Sequence, residues 1–128
     1  MTAGLSAANL ANKWLDMLNA TAFTAPAQFW VQLHVGDPGA SGTANTSAVT
    51  TRKQVTWSAA SGGSKSQSSS PSAWSMTASE TISHVSFWDA SVAGNFLGSA
   101  AVSASRSVVN LDTITLNTLT IAFTPIAA

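Results

Sequence analysis

The chain has 128 residues and a mass of 13.1 kDa, so we expect a single domain over residues 1–128. Hydrophobic residues make up 45% and can supply a core, whereas charged residues make up 8%, against about 25% in average soluble domains. Five Lys and Arg balance five Asp and Glu. Five scattered cations cannot form the basic surface that binds phosphates, which excludes a basic nucleic-acid-binding protein. Cysteine is absent, which excludes disulfides, thiolate metal ligands and a cysteine nucleophile.

Hydroxyl side chains supply much of the polarity that charge does not. The chain has 20 Ser and 15 Thr, together 35 of 128 residues. A net charge near zero gives little protection against association of like molecules. We therefore expect a homo-oligomeric subunit, with a trimer as one candidate. Neither a basic n-region at the start nor a continuous apolar run of about 20 residues is present, so no secretory signal and no membrane insertion are expected.

The N-terminal segment has a helical pattern over residues 5–19. Ser6 is a plausible N-cap, and Leu10, Trp14 and Leu18 recur at i, i+4 and i+8 on one stripe. This stripe should anchor the helix on the core of the domain. The alternative is a helix that docks on a neighbouring subunit.

After Pro26 the hydrophobic period changes from helix-like to two, which is typical of strands. Short apolar segments with turn residues between them then continue to the C-terminus, which favours a mainly β fold. We expect a single antiparallel, jelly-roll-like β-sandwich over residues 27–124, with one N-terminal α-helix. The serine-rich segment 61–72 predicts a turn at 61–63, followed by either a small-residue strand or an exposed loop. The predicted strand segments are 29–35, 49–58, 74–76, 82–88, 96–102, 108–115 and 118–124.

Two tryptophans are candidate interface residues. Trp30 lies on the more polar face of its predicted strand, and Trp74 follows the serine-rich segment. Aromatic residues dominate the energetics of protein interfaces. Together with the helix residues Leu10, Trp14 and Leu18, they form the predicted interface set.

The sequence contains no complete match to a known catalytic or ligand-binding motif. The glycine-rich segment 36–42 has no Lys-Ser or Lys-Thr after it, and Pro38 stands where a dinucleotide-binding loop needs glycine. His34 and His84 could ligate a metal or act as a base, but no triad geometry follows from them, and hydrogen-bonded structural histidines are the simpler interpretation. We predict no catalytic, cofactor-binding or metal residue, no cofactor and no enzymatic activity. The acids, which form no evident glycosidase pair, are Asp16, Asp37, Glu80, Asp89 and Asp112.

Three phrases, in order, carry a resemblance to a known family. They are VQLHVGDPGASGTAN at 31–45, QVTWSAASGG at 54–63, and HVSFWDA followed by GNFLG within 84–98. The chain resembles a family of small tailed-phage proteins that are usually labelled tail fibre or minor tail proteins and are common in phages of actinobacteria. The resemblance implies a non-enzymatic virion component without a cofactor, assembled in the bacterial host cytoplasm.

Location in the virion is open between two hypotheses. A fibre spans distance through a coiled coil, a β-helical shaft or collagen-like repeats, and these patterns are absent from the sequence. The first hypothesis is therefore a decoration subunit on the capsid exterior, with the major capsid protein as partner. The alternative is a tail module that contacts the host surface, where Trp30 or Trp74 would stack on a surface glycan. A cell-wall hydrolase is a third class, which no acid pair supports.

Overall fold

The polypeptide, described by a computed structural model over residues 3–124, begins with a helical segment whose geometry changes along its length. The hydroxyl oxygen of Ser6 accepts a hydrogen bond from the backbone N–H of Asn9, so the predicted N-cap is confirmed. The segment ends at Ala20, which has a left-handed backbone with φ of 55°. Its parts are a π-helical turn (Ala7–Ala11), an α-helix (α1, Asn12–Asp16) and a 3₁₀ turn (Met17–Asn19).

Antiparallel strands joined by loops follow in the rest of the described chain, which confirms the predicted mainly β, sandwich-type fold with one N-terminal helix. The strands of the described residues form a four-stranded sheet in the order β2-β1-β6-β7, a three-stranded sheet in the order β3-β4-β9 and a β5-β8 pair. They are β1 (Trp30–His34), β2 (Lys53–Gln54), β3 (Thr56–Trp57), β4 (Ser64–Ser69), β5 (Trp74–Ser75), β6 (Glu80–Trp88), β7 (Phe96–Val108), β8 (Thr113–Ile114) and β9 (Thr120–Ala122).

One face of the four-stranded sheet is apolar and packs into the core. Val31 lies opposite Phe87, and Leu33 lies opposite Val85, so these four side chains share a face. This is the apolar face that the alternation in residues 29–35 predicts. The helical segment contributes the buried Leu10 to this core, and Val55, Trp74 and Met76 are buried in or beside the short strands β3 and β5. Further buried side chains come from β6 and β7 of the same sheet: Ile82, Leu97 and Val108.

The second face of the same sheet is also covered, although its residues are mostly polar. Gln32 and His34 of β1 are buried, as is Ser86, which lies opposite Gln32. The loop 36–47 covers this face, since the imidazole of His34 contacts the carbonyl oxygen of Ala44 at 2.8 Å. Period-two alternation predicts a solvent-exposed polar face, but here the polar groups find hydrogen-bond partners inside the protein.

The serine-rich segment forms a strand, which settles the alternative between strand and loop. Gly62 and Gly63 have φ of 55° and 70°, and the backbones of Ser61 and Ser64 bond each other across this tight turn. β4 then pairs with β3 on one side and β9 on the other. Hydroxyls bond across the strands, as between Ser66 and Thr120 at 2.9 Å, so short polar side chains cover this sheet.

A short extended segment before the helix attaches it to the edge of β7. Leu5 forms an antiparallel bridge with Gly98, flanked by hydrogen bonds from Ser6 N–H to the Leu97 carbonyl and from Ser99 N–H to the Gly4 carbonyl, both at 2.8 Å. A Cβ atom on Gly98 would lie 2.8 Å from the carbonyl oxygen of Gly4. Glycine is therefore needed at position 98 for this close approach.

Candidate functional site

The three helix residues that were predicted to anchor the helix differ in burial. Leu10 is buried and Trp14 is half-buried against the core, whereas Leu18 is 88% exposed, so its predicted anchoring role is wrong. The cause is the change of helix geometry. An α-helical period places Leu18 on the Leu10 stripe, but the π-helical start and the 3₁₀ end rotate successive side chains by different angles.

The two predicted interface tryptophans lie in different environments. Trp74 is 1% exposed and donates its indole N–H to the carbonyl oxygen of Thr51 at 2.8 Å, so it is a core residue and not the surface aromatic that we expected. Trp30 is half-buried on β1 and donates its indole N–H to the side-chain oxygen of Gln28 at 3.0 Å. Of the two, Trp30 stays a candidate for contact with another molecule.

A cleft of about 530 Å³ lies between the helical segment, the connection to β1 and the strands β3, β4 and β9. Leu10 and Trp14 form part of its wall, so the cleft joins two of the predicted site residues with side chains that the sequence did not single out. Its aromatic and apolar walls include Trp14, Phe23, Phe29, Trp57, Ile121 and Phe123.

Two edge-to-face aromatic pairs build these walls. The rings of Trp14 and Phe123 are 5.1 Å apart at an interplanar angle of 69°, and those of Phe29 and Trp57 are 5.0 Å apart at 77°. The first pair joins residues from the two ends of the described chain. Strand alternation places Trp57 and Phe123 on apolar strand faces, but no sequence signal shows that these faces meet across a cleft.

A polar network on the covered face of the four-stranded sheet includes a serine and a histidine, but these residues are not arranged as in a nucleophilic catalytic site. Nε2 of His34 lies 2.7 Å from the hydroxyl of Ser86, which also accepts the indole N–H of Trp88 at 2.8 Å. Because Nδ1 of His34 faces the carbonyl oxygen of Ala44, Nδ1 donates, and in the neutral ring Nε2 accepts from Ser86. Burial lowers the pKa of His34, which favours that neutral ring.

This network is structural. The Ser86 hydroxyl is fully buried, so no substrate carbonyl can reach it, and a backbone carbonyl stands where a triad has a carboxylate. The second histidine, His84, lies opposite His34 in the sheet and contacts the hydroxyl of Ser83 at 2.9 Å. Both histidines thus have hydrogen-bond partners on or beside the sheet.

Arg52 and Asp89 both bond the turn between β6 and β7, where the carboxylate of Asp89 accepts hydrogen bonds from the backbone and side-chain N–H groups of Asn95, each at 2.7 Å. The guanidinium of Arg52 donates to the carbonyl oxygens of Ala90 and Ala93 at 2.9 and 2.6 Å, and lies 3.7 Å from the centroid of the Trp88 ring. Its Nε also donates to the Gln32 side chain at 3.1 Å. These contacts tie the turn to the sheet, and Val92 is 81% exposed at its tip.

Two other kinds of site find no support within residues 3–124. The described residues contain no group of three His, Cys, Asp or Glu side chains that could hold a metal ion. Among the helices of this same part of the chain, none has the length and apolar character needed to cross a membrane.

Comparison with known proteins identifies the family. A search of curated proteins gave no match. A sequence model of the family described as "Podophage GP4 fiber I protein gp80" matches residues 5–124, which is nearly the whole chain. The match confirms the resemblance to phage tail and fibre proteins, but it does not support the link to actinobacterial phages or a place on the capsid. The protein is a structural component of a phage virion, and the chain belongs to the podophage GP4 fiber I protein family.

Proposed function

We propose that the protein is a compact, non-enzymatic module of a phage tail fibre that contacts the host surface. The match of a fibre-family model over residues 5–124 carries this proposal. It favours the tail alternative over the capsid-decoration hypothesis, for which the comparisons offer no support.

The shape of the described chain favours one place within such a fibre. Residues 3–124 fold into nine strands of 2 to 13 residues and one short helical segment. A shaft needs a long coiled coil or a repeated β-structure, and neither occurs in this range. We therefore assign the module to an end or a branch of the fibre, where compact domains meet other molecules.

Exposed apolar residues on the helical segment support contact with further fibre subunits. Leu15 and Leu18 are 64% and 88% exposed, and Phe123, which packs against Trp14, is 55% exposed. The neutral, hydroxyl-rich surface adds little charge repulsion between copies. Assembly with fibre proteins or with further copies of this chain would cover these side chains.

The non-enzymatic part of the proposal rests on the polar groups described above. Both residues of the described serine–histidine pair, Ser86 and His34, are fully buried. The aromatic cleft offers apolar surface for binding, whereas the serine–histidine network offers no nucleophile that a substrate can reach.

Gold-labelled antibodies raised against the purified protein test the proposal on intact virions by electron microscopy. We expect labels at the tail fibres and reduced adsorption of antibody-treated phage to host cells. Labels over the head would contradict the fibre assignment. Tail labelling with unchanged adsorption at saturating antibody would contradict the contact with the host surface.

A further inference from the structure

Loop 36–47, which covers the polar face of the four-stranded sheet, is held together by its own hydrogen bonds. The N–H of Gly42 donates to the carbonyl oxygen of Gly39 at 3.1 Å. The N–H of Ala44 donates to the carbonyl oxygen of Pro38 at 2.9 Å. Because these bonds close within the loop, they remain when it moves away from the sheet. The loop can therefore move as one body.

Backbone hydrogen bonds near both ends of the loop attach it to β1. The N–H of Val35 donates to the carbonyl oxygen of Asn45 at 2.8 Å. The N–H of Ser47 donates to the carbonyl oxygen of Leu33 at 3.1 Å. Both bonds break when the loop lifts, so exchange of these two N–H groups with solvent reports its position.

An aromatic pair lies beneath the middle of the loop. Gly42 lies against the ring of Phe96, since a Cβ atom at position 42 would overlap that ring. The rings of Phe96 and Trp88 are 5.5 Å apart at an interplanar angle of 60°. Trp88 is 6% and Phe96 8% exposed. Lifting the loop would thus uncover apolar aromatic surface.

His34 is a titratable group directly beneath the loop. Its imidazole is fully buried, with Nδ1 facing the carbonyl oxygen of Ala44 at 2.8 Å and Nε2 facing the hydroxyl of Ser86 at 2.7 Å. In the neutral ring Nε2 accepts from Ser86. A proton on Nε2 makes it a donor and removes the acceptor of the Ser86 hydroxyl, whose oxygen already accepts the indole N–H of Trp88. The closed loop therefore disfavours the protonated ring.

Positive groups face His34 and disfavour its protonation further. His84 lies opposite His34 in the sheet. Burial lowers the pKa of His34, the backbone groups of Ala44 and Asn45 oppose this shift, and the charges of His84 and Arg52 add to it.

The carboxylates of the surrounding elements hold other groups. Asp37 of the loop, Glu80 of β6 and Asp89 of the β6–β7 turn each accept a backbone N–H, at 2.9, 3.1 and 2.7 Å. Protonation of His34 in the closed state would thus place a buried positive charge where two other cationic groups already face it.

We propose that loop 36–47 is an acid-released cover, which lifts from the sheet in favour of the protonated form of His34 and exposes the pair of Trp88 and Phe96. The proton comes from solvent and binds Nε2, which becomes accessible in the lifted state. One proton shifts the equilibrium towards this state by up to about tenfold per pH unit below about 6.5, the ordinary pKa of histidine. The proposal does not depend on the fibre assignment.

Hydrogen exchange measured by NMR on the full chain at pH 7.0 and pH 5.0 tests the proposal. Each rate is divided by the rate for an unfolded peptide at the same pH, which gives a protection factor. The reporters are the backbone N–H groups of Val35 and Ser47 and the indole N–H of Trp88. The references outside the loop are the backbone N–H of Val55 and the indole N–H of Trp74.

We expect the protection of the three reporters to fall by about threefold to about thirtyfold, the upper value being one proton over about 1.5 pH units below 6.5. Protection of the two references should stay constant. A fall of less than about threefold would overturn the proposal. So would an equal fall in the references, because the whole chain would then be unfolding.

Two matched variants identify the titrating group. The fall in protection should disappear in His34→Gln and remain in His84→Gln, which keeps His34. The reverse result would assign the response to His84 and overturn the proposal. If His34→Gln already lifts the loop at pH 7.0, NMR titration of the His34 ring in the unaltered chain decides. A ring pKa below about 6.5 supports the proposal, and a value at or above it refutes the proposal.

Discussion

Replacement of Gly98 by alanine should detach the N-terminal segment from the edge of β7. The new Cβ atom would lie 2.8 Å from the carbonyl oxygen of Gly4 and 3.1 Å from the Cα atom of Leu5. Both neighbours are backbone atoms, so no side-chain rotation can relieve the overlap. The protein must either keep the strained contact or lose the bridge between Leu5 and Gly98.

Both responses lower stability by a similar amount. Overpacking of a well-packed site costs about 1–3 kcal/mol. Loss of the two hydrogen bonds that flank the bridge, donated by Ser6 and Ser99, costs about 0.5–1.5 kcal/mol each, or about 1–3 kcal/mol together. We therefore expect Gly98→Ala to lower the free energy of unfolding by about 1–3 kcal/mol.

Gly4→Ala is the matched control, because a Cβ atom on Gly4 meets nothing within 4 Å. Both variants carry the same glycine-to-alanine effect on the unfolded chain, so their difference reports the contact in the folded state. Urea denaturation gives the two free energies, and hydrogen exchange of the amides of Ser6 and Ser99 reports the segment itself. Equal stability of the two variants, with both amides still protected in Gly98→Ala, would refute the reasoning.

Three further predictions concern the network, the turn and the helix. His34 has a lowered pKa, so the unfolded chain binds more protons than the folded one as pH falls through about 6.5. Stability should then decline by up to about 1.4 kcal/mol per pH unit, and urea titrations should show a weaker decline in His34→Gln. Arg52→Lys removes the planar guanidinium that donates to two carbonyl oxygens of the turn 89–95. Hydrogen exchange of the amides in this turn, measured by mass spectrometry, should then accelerate at least tenfold. Unchanged exchange would contradict the role of Arg52 in holding the turn. Leu10→Ala should lower the free energy of unfolding, measured by heat or urea, by about 2–5 kcal/mol, and Leu18→Ala by less than about 0.5 kcal/mol. Equal losses would contradict the placement of Leu18 outside the core.

The sequence predicted those parts of the fold that depend on local pattern. The alternation around Val31 and Leu33 identified the apolar face of β1, and Ser6 identified the start of the helical segment. The paired glycines at 62 and 63 marked a turn, because their positive φ angles suit a tight hairpin.

Other features depend on contacts between distant residues, which a local pattern does not contain. Alternation shows that His34 shares a polar face, but not that the loop 36–47 covers that face and buries it. The serines around Trp74 predict a surface position for it. The side chain is instead buried in the core, because the carbonyl oxygen of Thr51 accepts the hydrogen bond from its indole N–H. The cleft is missed for the same reason, since Trp14 and Phe123 meet across 109 residues of chain.

Quantitative mass spectrometry of separated phage heads and tails tests the fibre assignment most directly. Tails and heads from the same preparation are compared after each is normalised to a major structural protein. The account predicts that the protein is retained in the tail fraction at a small, fixed number of copies per tail. Recovery in the head fraction, at a copy number that scales with the major capsid protein, would contradict it.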